Sequence, residues 1–227
     1  MKILAFDSAL TACSAAIVDQ GNVLAERCEA RARGHAEALM PMIEDVRRAA
    51  AVDYRELDLI AVTVGPGSFT GIRVGVAAAR AIAIAAGKRA VGVTTLAAMA
   101  QRAVTATDPP NRIVSIIDAR RDEAYVQIFG VGDGYVIPVS GAPELDTIAN
   151  IAARLGDQPA TLVGSGAIKV LDALPKDHRW LATQITVPDS PSIARLACVQ
   201  AQQAGQSAGP TPLYIRQPDT NRPRQRP

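Results

Sequence analysis

The chain has 227 residues, with 24 Lys and Arg against 22 Asp and Glu, a net charge of +2, 48% apolar residues and only 4% aromatics. That length and apolar content suit a core-bearing globular protein of one large or two small domains. The charge is too mild to signal nucleic-acid binding by itself, and so few aromatics leave little stacking platform for single strands.

Three cysteines, Cys13, Cys28 and Cys198, have no metal-ligand spacing and read as reduced cytoplasmic thiols. The opening Met1-Lys2-Ile3-Leu4-Ala5-Phe6-Asp7 turns acidic too early for a signal peptide. The most apolar stretch, Val74 to Ala86, is interrupted by Arg80 and reads as too short to span a bilayer.

Lys2–Ser8, Ser14–Asp19 and Val23–Ala30 read as three strands, the last two joined by a turn at Gln20-Gly21-Asn22. His35–Ala51 carries Leu39, Ile43, Val46 and Ala50 at helical spacing, with Pro41 placed in its first turns, where a missing N–H costs least. Leu57–Val64 predicts a strand, Val74–Ala86 a helix ended by Gly87, Ala90–Val93 a strand, and Thr95–Val104 a helix. This β-β-β-α-β-α-β-α order is that of the ribonuclease H-like unit, which builds the actin, Hsp70 and sugar-kinase class when duplicated. Thr105–Asn111, with Asp108-Pro109-Pro110, reads as a linker.

Beyond it, Arg112–Asp118 and Glu123–Phe129 predict paired strands around Ala119-Arg120-Arg121-Asp122. A helix over Glu144–Leu155 follows, then strands Ala160–Val163 and Thr183–Val187. A last helix, capped by Asp189-Ser190-Pro191, runs to about Gln203 with Gly205 beyond its end. The expected fold is a two-lobed actin-like α/β protein with a reduced second lobe. Residues 1–104 form the first, partner-binding lobe. Residues 105–216 form the smaller lobe, whose last helix packs back on the first, and 217–227 form a disordered tail rich in Pro and Arg.

Two loops draw attention as phosphate cradles. Gly65-Pro66-Gly67-Ser68-Phe69-Thr70-Gly71 leads from strand to helix, and glycines there let backbone N–H groups approach an anion at a helix N-terminus. Pro66 removes one donor, and no lysine follows at Walker-A spacing. A tight turn for helix–sheet packing, with Ser68 or Thr70 as cap, is the simpler reading. Asp7-Ser8-Ala9-Leu10-Thr11 sits where actin-class ATPases carry their first phosphate loop, but it has no glycine. Asp7, Ser8, Thr11, Gly65, Gly67 and Ser68 therefore form at most a residual nucleotide site. No cofactor is expected beyond weak ATP or ADP binding.

Gly71, Gly75, Ala79 and Ala83 recur every fourth residue, with Ala78 and Ala81 beside them, giving a small-residue helix face that another helix could approach closely. A subunit interface built from Leu39, Met40, Ile43, Gly71, Ile72, Gly75, Ala78, Ala79 and Ile82 follows. His35 has Leu39, no ligand, at its fourth position, and His178 lies far away in sequence, so no metal site is expected. Asp118, Arg120, Asp122 and Glu123 read as a solvated hairpin turn, or as a ligand or partner contact.

The chain resembles the bacterial TsaB (YeaZ) family. The resemblance runs over most of its length and rests on Ile3-Leu4-Ala5-Phe6-Asp7-Ser8, His35 with Leu39-Met40-Pro41, and Gly65-Pro66-Gly67-Ser68-Phe69-Thr70-Gly71-Ile72-Arg73-Val74-Gly75. It rests also on Val91-Gly92-Val93-Thr94-Thr95-Leu96, Ile117-Asp118-Ala119-Arg120 and Pro212-Leu213-Tyr214-Ile215-Arg216. The resemblance implies a non-catalytic partner of TsaD in tRNA threonylcarbamoyladenosine synthesis. It would bind TsaD through its first two helices and pair with itself by the same surface when TsaD is absent. With the ATPase TsaE it would support threonylcarbamoyl transfer to the adenosine beside the anticodon of tRNAs reading codons that begin with A. It would meet tRNA only through the complex, in the cytoplasm, away from any membrane. The catalytic paralogue binds metal through two histidines four apart, where this chain has only His35. The family's first loop reads Asp-Thr-Ser-Thr, where this chain has two hydroxyls fewer. The alternative is an independent actin-class ATPase or small-molecule kinase, resting on Asp7 and the Gly65 loop. A metallopeptidase, an old label in this superfamily, lacks a ligand pair.

Overall fold

The computed structural model describes residues 1–106, 111–176, 180–203 and 209–216. His178, Asp108-Pro109-Pro110, Gly205 and the tail 217–227 lie outside the described residues. The first unit consists of β1 (Lys2–Asp7), β2 (Ala12–Asp19), β3 (Asn22–Ala30), α1 (His35–Ala49), β4 (Leu59–Thr63), α2 (Phe69–Ala86), β5 (Arg89–Val93) and α3 (Thr95–Ala106), with a 3-10 turn at Tyr54–Glu56 before β4. Its sheet runs β3-β2-β1-β4-β5. The β1–β2 and β2–β3 pairs are antiparallel, and β1–β4 and β4–β5 are parallel.

The second unit consists of β6 (Arg112–Asp118), β7 (Glu123–Gly132), β8 (Tyr135–Pro138), β9 (Glu144–Thr147), α4 (Ile148–Leu155), β10 (Ala160–Val163), α5 (Ala167–Ala173), β11 (Trp180–Ala182) and α6 (Ser190–Gln203). Its main path, β8-β7-β6-β10-β11, repeats the first sheet, with β9 added alongside β7. The same pairs are antiparallel (β6–β7, β7–β8) and parallel (β6–β10, β10–β11). The second unit is thus a copy of the first. Its α4 and α5 have 8 and 7 residues where α1 and α2 have 15 and 18.

Both faces of the first sheet are buried along β1, β2 and β4, and β1 alternates between them. Ile3 and Ala5 face a core shared with α3, α6 and the second sheet, while Leu4 and Phe6 face a core under α1 and α2. A third core lies under α4 and α5. The shared core has an exchange at its centre. Helix α3, from the first unit, packs on β6 and β7, and α6, from the second, packs on β1, β2 and β5.

Several local expectations change. Helix α2 starts five residues before Val74, because Ser68 Oγ accepts the Gly71 N–H at 3.4 Å and caps it there. At 18 residues α2 is long and apolar enough to cross a bilayer by length and composition, but its inner face lies on the sheet. Pro41 is the seventh residue of α1, so its missing N–H falls inside the helix. Glu144–Thr147 is a strand, and the helix begins only after Thr147 caps it through the Asn150 N–H at 3.2 Å. The eleventh strand is Trp180–Ala182. Thr183–Val187 keeps isolated backbone bonds to the β10 edge, Thr183 N–H to Leu162 O and Gly164 N–H to Ile185 O, without a ladder.

Candidate functional site

The two candidate phosphate loops meet, and they close on each other. The Ser68 N–H donates to the Ala9 carbonyl at 2.7 Å, and Ser8 Oγ donates to the Gly71 carbonyl at 2.9 Å. A Cβ at Gly67 would lie 2.5 Å from the Ala9 carbonyl oxygen, and one at Gly71 would overlap the Ser8 carbonyl oxygen. The glycines that suggested room for a phosphate instead let the start of α2 press on the β1–β2 turn. Gly65 faces elsewhere. Its φ is +113°, and a Cβ there would meet the Leu213 carbonyl oxygen at 2.9 Å.

Asp7 ends β1 with no exposed surface. Its Oδ1 accepts hydrogen bonds from the Ala9 N–H at 3.1 Å and from Thr63 Oγ1, and its Oδ2 has no partner among the described residues. Burial pushes its pKa up to about 6, against the opposing pull of those hydrogen bonds and of His35. Ser8 is equally buried. Of the six residual-site residues, only Thr11 and Ser68 line the adjoining cavity of about 580 Å³, together with His35, Thr70 and, from the second unit, Arg120. The His35 ring is held at its Nε2 by the Leu10 carbonyl, 2.8 Å away.

The small-residue face of α2 is likewise used inside the chain. A Cβ at Gly75 would sit 2.9 Å from Ser8 Oγ and 3.2 Å from Val62 Cγ2, and Ala79 is fully covered. Leu39, Ile43, Gly71, Ile72 and Ile82 are buried as well. Of the nine interface residues read from the sequence, Met40 is exposed and Ala78 half-buried, and the other seven belong to the chain's own core. The open apolar surface lies further round α2. It carries Ala77, Ala81, Ile84 and Ala85, and Ile84 is 83% exposed. Beside it runs a groove of about 650 Å³ between α1 and α2, bordered by Met40, Glu44, Tyr54, Ala81 and Ala85 and floored by Ile82. The sequence signal for this face was present, since Ala77, Ala81, Ile84 and Ala85 also recur at helical spacing. The buried glycine stripe beside it was the stronger pattern.

The polar cluster at the β6–β7 turn is tied to its surroundings. Asp118 accepts from Lys169 Nζ at 2.8 Å and from the Arg120 N–H at 3.0 Å, and Glu123 pairs with Arg216. Arg120, Arg121 and Asp122 all take positive φ, at 65°, 55° and 59°.

Residues 22–167 match the family model for TsaD, tRNA N6-adenosine threonylcarbamoyltransferase. The tRNA threonylcarbamoyladenosine biosynthesis protein TsaB of Escherichia coli K12 is 38% identical over 127 residues, which cover 55% of this chain and 53% of that protein. YeaZ from Pseudomonas aeruginosa superposes with a TM-score of 0.83 at 27% identity, covering 94% of this chain and 99% of that structure. The inorganic polyphosphate/ATP-glucomannokinase of an Arthrobacter strain, at TM-score 0.52 and 11% identity, shares the fold alone.

Proposed function

The chain belongs to the TsaB/YeaZ family, and on that premise we propose that it acts in tRNA threonylcarbamoyladenosine biosynthesis as the scaffold and activator of a TsaD-type threonylcarbamoyltransferase. The observation that carries this reading is the uncovered apolar face of α2 beside the α1–α2 groove, with Ile84 83% exposed. A partner helix laid along Ala77, Ala81, Ile84 and Ala85 with an anchor in the groove would bury it. Ala77, Ala81, Ile84 and Ala85 are all exposed at helical spacing, the pattern a partner helix would cover.

In this reading the partner is TsaD, the ATPase TsaE joins the pair, and a second copy of the chain occupies the same face when TsaD is absent. Transfer to the adenosine beside the anticodon takes place on the partner, tRNA is met through the complex, and the work is cytoplasmic. The chain itself serves as an accessory subunit with no resident cofactor. The closure of Ser8 and Ala9 on Gly67 and Gly71 supports this role over an independent ATPase or kinase, because a phosphate has no seat there.

Reconstitution tests it. TsaD, TsaE, the threonylcarbamoyl donor and tRNA are combined with the wild-type chain, with Ile84→Asp or without the chain, and modified tRNA is scored. Modification is expected only with wild type. Equal yield without the chain would overturn the reading.

A further inference from the structure

The motif Pro212-Leu213-Tyr214-Ile215-Arg216 has no part in the proposed docking face, yet it makes some of the longest-range bonds in the molecule. The segment starts at Pro210, whose carbonyl accepts from Arg80 Nε on α2 at 2.9 Å. The Leu213 N–H then donates to the Val64 carbonyl at 2.7 Å, at the end of β4. Tyr214 Oη accepts from Arg73 Nε at 2.9 Å. The Arg73 guanidinium lies 3.5 Å from the centre of the Phe69 ring, and that ring is 5.2 Å from Tyr214. Gly65 makes room for this path, since a Cβ there would meet the Leu213 carbonyl oxygen at 2.9 Å.

The chain then crosses to the other unit. Arg216 donates to the Ala119 carbonyl at 3.0 Å and pairs with Glu123. Those two residues are the feet of the β6–β7 turn, whose own bonds run from the Ala119 N–H to Glu123 O at 2.9 Å and from the Glu123 N–H to Arg120 O at 3.1 Å. The turn holds three consecutive non-glycine residues at positive φ, a conformation that persists only where the surroundings enforce it. Arg120, at its tip, lines the cavity beside the start of α2.

We infer that residues 210–216 form a strap that couples the α2 surface of the first unit to the β6–β7 turn of the second. One end is fastened by Arg73 and Arg80, and the other fixes the turn through Arg216. Loosening either end frees the other, and with it the wall that Arg120 gives the cavity. This coupling holds in the isolated chain and does not depend on the docking reading.

Amide hydrogen exchange on the full-length protein tests it with two variants, Arg216→Ala and the double variant Arg73→Ala/Arg80→Ala, whose changes lie at the surface of α2. Exchange at Leu213, Ala119 and Glu123 is expected to rise about tenfold or more in both variants, the equivalent of losing a charge-assisted hydrogen bond. Amides of β1 and β4 should keep their wild-type rates. If each variant loosens only its own end, or neither end moves, the strap carries no coupling and the inference fails. If Arg216→Ala raises exchange throughout the chain, the α2 double variant decides: a turn that stays protected in it overturns the proposal.

Discussion

Ser8 donates its hydroxyl to the carbonyl of Gly71 at 2.9 Å, and the Ser8 carbonyl occupies the space where a side chain at Gly71 would begin. The first turn of α2 and the end of β1 are therefore a packed joint. Gly71→Ala would drive a methyl group into backbone, which has no rotamer by which to escape. We expect a loss of at least about 2 kcal/mol in urea unfolding. Gly87→Ala, at a helix end with φ 65° and open space around it, should cost about 1 kcal/mol. Equal losses at the two positions would contradict the joint.

Asp7 gives stability an unusual pH dependence. Its folded pKa, about 6, lies above the ordinary aspartate value of 3.8. Between these values the native state binds more protons than the unfolded state, so this group's contribution falls as pH rises from about 4 to 6. Asp7→Asn keeps an oxygen for the Ala9 N–H and Thr63 and removes the buried charge. The variant should be more stable than wild type at pH 7.5 by about 1–3 kcal/mol. The advantage should vanish near pH 4, as read from denaturation midpoints across that range.

The proposed docking face and the buried stripe of α2 should separate by mutation. Ile84→Asp should leave unfolding free energy within about 0.5 kcal/mol of wild type while abolishing co-purification with TsaD. Ala79→Leu, at a position with no exposed surface, should instead cost about 1–3 kcal/mol through overpacking. A wild-type level of TsaD captured by Ile84→Asp would move the interface off this face.

Calorimetry of the isolated chain with Mg-ATP should give no saturable heat, because Ser8 Oγ and the Gly71 carbonyl bond to each other across the two candidate phosphate loops. Turnover together with saturable binding would restore the kinase-like reading.

The first unit is legible because its signals are local: apolar runs long enough to name and a Gly87 stop. The second unit was harder to read. Its α5, at 7 residues, is too short to show a period, and β8 offered no clean alternation. Glu144–Thr147 looked like helix because the strand and α4 abut with no breaker between them. For the site, the every-fourth-residue run of Gly71, Gly75, Ala79 and Ala83 correctly marked a close approach, but spacing does not say what approaches. The β1–β2 turn, some sixty residues earlier in sequence, fills that place, and the true open face lies beside it.

The exchange of α3 and α6 makes the two units mutually unfinished. Each sheet has one face covered by a helix that the other half of the sequence supplies. Neither half therefore closes its own core. Although the second copy has only short helices α4 and α5, its α6 completes the half that carries the proposed docking face.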